Sequence, residues 1–111
     1  MDLLQKHVEV VELYEIYRSL LTSKQQVILD YYYFDNYSLS EISELESISR
    51  NAVYDSLKRT VDKLYDYESK LKLNSHKKNR LKIIQTLINE NNDPKVAKLL
   101  KELEKVEQDG I

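Results

Sequence analysis

Between residues 38 and 64 the chain reads SLSEISELESISRNAVYDSLKRTVDKL, and here the side chains are spaced for more than folding. Arg50, Asn51, Tyr54, Lys58 and Arg59 follow a helix-capping hydroxyl at Ser49. Arginine and asparagine each match the edge of a purine with two hydrogen bonds, and lysine and arginine neutralise phosphates. The chemistry on offer is recognition. Catalysis has no equipment: Ser23, Ser49 and Thr60 stand near no base that could activate a hydroxyl, and Glu44 and Glu46 fall on different helix faces. His7 and His76 lie far apart in the sequence, without ligand partners at metal-binding spacing. The chain holds no Cys, which removes thiolate zinc sites, disulfides and cysteine nucleophiles together. Its only Gly is Gly110, so no phosphate-cradling loop is present. No cofactor or metal is expected, and the chain reads as a non-enzyme.

The elements that must position those residues follow from apolar period and caps. In 111 residues, with one Gly and one Pro, little interrupts helices or favours tight hairpins, and the fold class is all-α. A first long helix carries Leu4, Val8, Val11, Tyr14, Arg18 and Leu21 on its inner stripe, widened by Leu3, Tyr17 and Leu20. Glu9, Glu12 and Glu15 lie on its other face. Thr22-Ser23-Lys24-Gln25 has the spacing of a capping box and opens a second helix with Val27, Ile28, Leu29 and the aromatic run Tyr31–Phe34. That helix ends near Asp35-Asn36. Ser38 with Glu41 repeats the capping signal for a short third helix burying Leu39, Ile42 and Leu45.

Glu46-Ser47-Ile48 breaks the period, and Ser49 caps a fourth helix that buries Val53, Leu57, Thr60 or Val61, and Leu64, and runs to about Leu71 or Leu73. Apolar residues at 42, 45, 48, 53 and 57 are the packing code of a helix-turn-helix, which presents the start of its second helix outward. Counting 100° per residue from Val53 puts Asn51, Asp55, Lys58 and Asp62 opposite the core, with Tyr54 on the flank. Asp55 and Asp62 are negative charges on the face that would meet phosphates. Ser47 sits where such turns often use glycine to reach left-handed backbone. Asn74–Asn79 is polar and basic and reads as a joint. A fifth helix with Leu81, Ile84, Leu87 and Ile88 follows, then Asp93-Pro94 as a cap with proline in the first turn. Val96, Leu99, Leu100, Leu103 and Val106 form the last stripe. The division is 1–73 for the helix-turn-helix domain with its N-terminal helix and 74–111 for a C-terminal helical extension.

The net charge of −2 conceals an asymmetry. Residues 1–48 hold 3 basic and 9 acidic side chains, whereas residues 49–82 hold 10 basic and 4 acidic ones. A basic stretch within an acidic chain can meet nucleic acid if it occupies one face. The run Lys70, Lys72, Lys77, Lys78, Arg80, Lys82 continues it. No apolar run approaches the length that spans a membrane, and no membrane insertion is expected. With no targeting signal, the expected location is cytoplasmic. The nine tyrosines read mainly as amphipathic core edges, the alternative being that some stack on bases or line an interface.

The stretch from 14 to 73 resembles the YlxM-like family of small bacterial helix-turn-helix proteins. The resemblance rests on Leu21-Thr-x-Lys-Gln25, Tyr32-Tyr33, Ser38-Leu-x-Glu-Ile42, Ser49-Arg-x-Ala-Val-Tyr-Asp55 and Lys58-Arg-Thr60. More distantly the stretch is similar to region 4 of sigma factors. The resemblance implies a helix-turn-helix core with additional C-terminal helices and a regulatory part in the signal recognition particle pathway. The implied partner is DNA or signal recognition RNA, contacted through Ser49, Arg50, Asn51, Tyr54, Lys58 and Arg59, or else proteins of the particle. Surplus apolar surface on the first and last helices leads us to expect a homodimer, the alternative being a monomer whose C-terminal helix pair caps the core.

Overall fold

A computed structural model describes the backbone of residues 3–109 and the side chains of residues 6–109. Every regular element among the described residues is helical: α1 Leu3–Tyr17, α2 Ser23–Leu29, α3 Leu39–Glu46, α4 Arg50–Leu71, α5 Leu73–Glu90 and α6 Pro94–Asp109. A short 3-10 turn, Arg18–Leu20, follows α1, and a π turn, Asp30–Phe34, extends α2. Among the described residues no helix is long and apolar enough to cross a membrane. The chain divides into two compact units, Met1–Leu71 and Lys72–Ile111.

In the first unit α1, α2 and α3 all pack on α4. The shared core is Val10, Leu13, Tyr14, Tyr17, Leu21, Ile28, Leu29, Ile42, Val53, Leu57, Val61 and Leu64. Both capping boxes form: Thr22 Oγ1 accepts from Gln25 N at 3.2 Å, and Ser38 Oγ accepts from Glu41 N at 3.1 Å, each answered by the glutamine or glutamate side chain. Thr60 and Val61 are both buried, and Thr60 Oγ1 is satisfied by donating to the Ser56 carbonyl at 2.8 Å.

Several expectations need correction. The inner stripe of α1 is Val10, Leu13, Tyr14 and Tyr17, whereas Val8 is exposed and Arg18 and Leu20 lie exposed in the 3-10 turn. Two partners pull the helix to this phase. Tyr14 donates to half-buried Asp30 at the start of the π turn, and Tyr65 of α4 donates to Glu9 Oε2 at 2.9 Å, which draws Glu9 off the solvent face. The side chains of Leu3 and Leu4 lie outside those described. Leu45 is 55% exposed, because Ile42 and half-buried Leu39 already close α3 against the core. Val27 and Leu87 are exposed as well. The polar run Asn74–Asn79 is no joint. It lies within α5, since it holds neither Gly nor Pro to stop a helix, and its His76 N–H bonds the Lys72 carbonyl at 2.9 Å.

In the second unit α5 and α6 pack together as an antiparallel pair linked through Asn91–Asp93. Asp93 Oδ1 accepts from Lys95 N at 2.9 Å, the cap expected ahead of Pro94. Arg80 in the first half of α5 meets Glu107 near the end of α6 at 2.6 Å.

The first unit is also held by phenols. Tyr14, almost fully buried, donates to Asp30 Oδ1 at 2.8 Å and approaches the Gln26 carbonyl at 3.2 Å. Burial above all, then the Asp30 hydrogen bond and charge, push its ionisation well above the usual tyrosine value. Burial and Glu9 push Tyr65 up to about 12. A folded-state pKa above the unfolded value of about 10 means the unfolded chain ionises first as pH rises. Stability should therefore hold up to about pH 10 and fall from there toward 12. Denaturant unfolding at pH 8 and pH 11, with phenolate absorbance read on the folded chain, checks this. Equal midpoints at the two pH values would contradict it.

Candidate nucleic-acid interface

The turn between α3 and α4 is built from backbone bonds. Ser47 ends α3 in left-handed conformation, φ 55° and ψ 41°, and its N–H bonds the Ser43 carbonyl. The following Ile48 N–H reaches the same carbonyl at 3.2 Å. Half-buried Ile48 then packs on the core and fixes how far the chain turns before α4 begins. Ser49 Oγ accepts from Ala52 N at 3.0 Å, so this hydroxyl works first as the N-cap of α4.

Because Val53, Leu57, Thr60, Val61 and Leu64 hold one face of α4 inward, its opposite face is left to solvent. Arg50, Asn51, Asp55, Lys58, Arg59 and Asp62 are exposed, and Tyr54 is 54% exposed. Among the described residues nothing hydrogen-bonds or ion-pairs with the side chain of Arg50, Asn51, Lys58 or Arg59. Two guanidiniums, an amide and an ammonium without intramolecular partners are free to meet an acceptor from outside. Asp55 and Asp62 stand among them, as the helical count requires.

The two flanks of this face differ. On one, Arg59 borders a shallow groove with Gln25, Ala52, Asp55, Ser56 and Thr60. On the other, a cleft of about 470 Å³ opens between α1, the π turn and α4. Lys6, His7, Tyr32, Tyr33, Tyr54 and Lys58 are among its lining residues. The rings of His7 and Tyr33 lie 5.1 Å apart and those of Tyr32 and Tyr33 meet edge-on at 5.0 Å. Burial and the neighbouring Tyr32 raise the Tyr33 phenol above its usual value.

Sequence spacing placed Tyr54, Lys58 and Asp62 here but missed Lys6, His7, Tyr32 and Tyr33. The aromatic run was visible, yet nothing local in the sequence brings α1 beside it. The basic stretch beyond residue 69 is partly engaged: Lys70 pairs with Asp66 at 3.0 Å and Arg80 with Glu107. Among the described residues no group of three or more His, Cys, Asp or Glu side chains is placed to hold a metal.

Comparison with known proteins bears on this geometry. Residues 4–106 match the family model described as "Putative helix-turn-helix protein, YlxM / p13 like". A UPF0122 protein of Anoxybacillus flavithermus is 46% identical over 110 residues, covering 95% of this chain and 100% of that one. One from Staphylococcus epidermidis is 41% identical over 96 residues, 86% of this chain and 87% of its own. A third, from Limosilactobacillus reuteri, is 40% identical over 111 residues, 96% and 98% respectively.

The turn itself supplies a test. A non-glycine residue in left-handed backbone costs roughly 1–2 kcal/mol, and glycine relieves that at the expense of unfolded-state entropy. Ser47→Gly should therefore raise unfolding free energy by up to about 1 kcal/mol, while Ser47→Val should lower it. Urea titration of the two variants beside the parent reads both signs. A destabilising Gly would mean that Ser47 is held by something other than its turn.

Proposed function

The chain belongs to the YlxM / p13-like family of helix-turn-helix proteins, and from that premise we propose that it is a nucleic-acid-binding regulatory protein reading its target with the first turns of α4. The observation that carries the reading is the outward, unpartnered placement of Arg50, Asn51, Lys58 and Arg59 beyond a tight α3–α4 turn. Arg50 and Asn51 sit where side chains reach base edges; Lys58 and Arg59 sit where they reach phosphates. Ser49 adds the helix N-terminus, whose N–H groups favour an anion. The family resemblance extends the proposal to the signal recognition particle pathway, with operon DNA or signal recognition RNA as the target. The protein is then a cytoplasmic, non-enzymatic component.

One observation favours a second reading. Asp55 and Asp62 stand on the same exposed face and repel phosphates. A protein of the particle, contacted by this face with no nucleic acid involved, would find those carboxylates useful.

The proposal includes a two-fold dimer formed by the second unit. Its supporting observation is α6, where Leu99 and Val106 are 63% and 65% exposed alongside Val96 and Leu103. Helical geometry brings Ile83 and Leu87 of α5, also exposed, to the same side of the hairpin. The charges of α6 run against its own macrodipole: Lys95, Lys98 and Lys101 come first, Glu102, Glu104, Glu107 and Asp109 later. An antiparallel second copy of α6 sets the basic half against the acidic half, and an isologous contact allows that arrangement.

Two measurements test these readings. Arg50→Ala should weaken the specific target by roughly 1–3 kcal/mol and relax sequence preference, whereas Lys58→Ala should weaken all sequences alike and lower the salt slope by about 1. Chemical-shift titration with operon DNA, signal recognition RNA and particle proteins locates the contact. Shifts confined to α1 or α6 would remove the α4 proposal, and shifts on α4 with protein alone would install the second reading. For the dimer, sedimentation equilibrium should give twice the 13.2 kDa chain mass, reverting to one chain in Leu99→Lys/Val106→Lys. A parent mass fixed at 13.2 kDa into the high micromolar range would end it.

A further inference from the structure

The cleft beside α4 has a chemistry that duplex recognition does not use. Its lining is aliphatic at Leu39, Leu57 and Val61 and aromatic at Tyr32, Tyr33 and Tyr54. Polar groups are few: Lys6, His7 and Lys58, with one carboxylate, Asp62. At about 470 Å³ it falls within the range of small-ligand sites and holds one planar heterocycle comfortably. Tyr32 and Tyr54 keep 37% and 54% of their surface in solvent, so ring faces are available for stacking. Tyr32 is held in place by its edge-on contact with Tyr33, whose ring in turn meets that of His7.

We propose that this cleft is a slot for one unpaired nucleobase of a single-stranded segment, stacked on Tyr54 and Tyr32, with Asp62 accepting from the base edge and Lys6 and Lys58 taking the flanking phosphates. The inference rests on the nucleic-acid reading of α4 and specifies which form of nucleic acid the site takes. Within a duplex both faces of a base are covered by its neighbours, so exposed rings would have nothing to stack on.

The slot also gives Asp62 a role. An ionised carboxylate only accepts hydrogen bonds. Guanine offers it two adjacent N–H donors, at N1 and N2, and is the best match. Uracil offers a single N–H set between two carbonyl oxygens that repel the carboxylate. The same charge that is unfavourable against a phosphate row becomes a selector at a base edge.

The experiment uses the full chain and three labelled probes followed by fluorescence anisotropy: a uridine tract containing one guanosine, the same tract without it, and the guanosine strand fully paired. The guanosine strand should bind tightest. Tyr54→Ala, at an exposed position, should lower its affinity roughly tenfold, the effect of losing one stacked base, and lower duplex affinity by a smaller factor. Asp62→Asn should abolish the preference for guanosine over uridine even if overall binding strengthens. Arg59→Ala, on the far flank of α4, should weaken all probes without changing their order. A deoxyribose copy of the strand shows which backbone supplies the base, and tighter binding of either copy supports the slot. Equal binding of duplex and single strand, or an unaffected single strand in Tyr54→Ala, overturns the slot and leaves the nucleic-acid reading standing. Failure of every probe to bind at low salt overturns both.

Discussion

Covering one narrow apolar stripe on α4 is the constraint from which the architecture of the first unit follows. Val53, Leu57, Thr60, Val61 and Leu64 lie within a single helical sector, and three helices converge on it. A helix is too stiff to bury one face without committing the opposite one. The residues that fold the unit therefore also aim those that would touch a target. Tyr14, Tyr17 and Tyr65 reinforce this from outside the stripe, with phenols donating to Asp30, Glu68 and Glu9 on neighbouring elements. Fold and recognition share one helix.

What the sequence revealed divides by the range of the forces concerned. Caps were legible because Thr22–Gln25, Ser38–Glu41 and Ser49–Ala52 bond over three residues. The outward face of α4 was legible because a strong apolar period fixes its phase. The stripe of α1 was misread because its apolar residues are dense enough to fit two phases, and the choice between them lies with Asp30 and Tyr65, 16 and 56 residues away from their partners. Leu45 was misread because apolar character was taken for burial, though the core closes without it. The polar run after Leu73 looked like a linker by composition, yet the only left-handed residue there is Lys72. The cleft was invisible for the same reason as the α1 phase. It is assembled from α1, the segment around the π turn and the start of α3, and α4, which only the tertiary fold brings together.

The charge distribution adds a second layer. The chain is acidic overall, with net charge −2, while its positive side chains concentrate from Arg50 onward. A local positive field in an acidic molecule attracts phosphates over a short range and leaves the remaining surface repellent, which suppresses indiscriminate adhesion. Asp55 and Asp62 sharpen that effect by thinning the positive field on α4 itself.

The π turn at Asp30–Phe34 governs phase between neighbouring helices. Its Asp35 N–H reaches back five residues to the Asp30 carbonyl at 3.0 Å, accommodating one more residue per turn than an α-helix does. That additional residue offsets the aromatic run, so that Tyr31 and Tyr33 turn toward the core while Tyr32 and Phe34 turn away. Asn36, left-handed at φ 62°, then releases the chain into α3. Removing one residue from this segment would restore regular winding and advance everything after it by about 100° relative to α2. Ile28 and Leu29 on one side and Ile42 on the other could then no longer all face α4. The segment is a phase adjuster, held to its length by every helix that follows it.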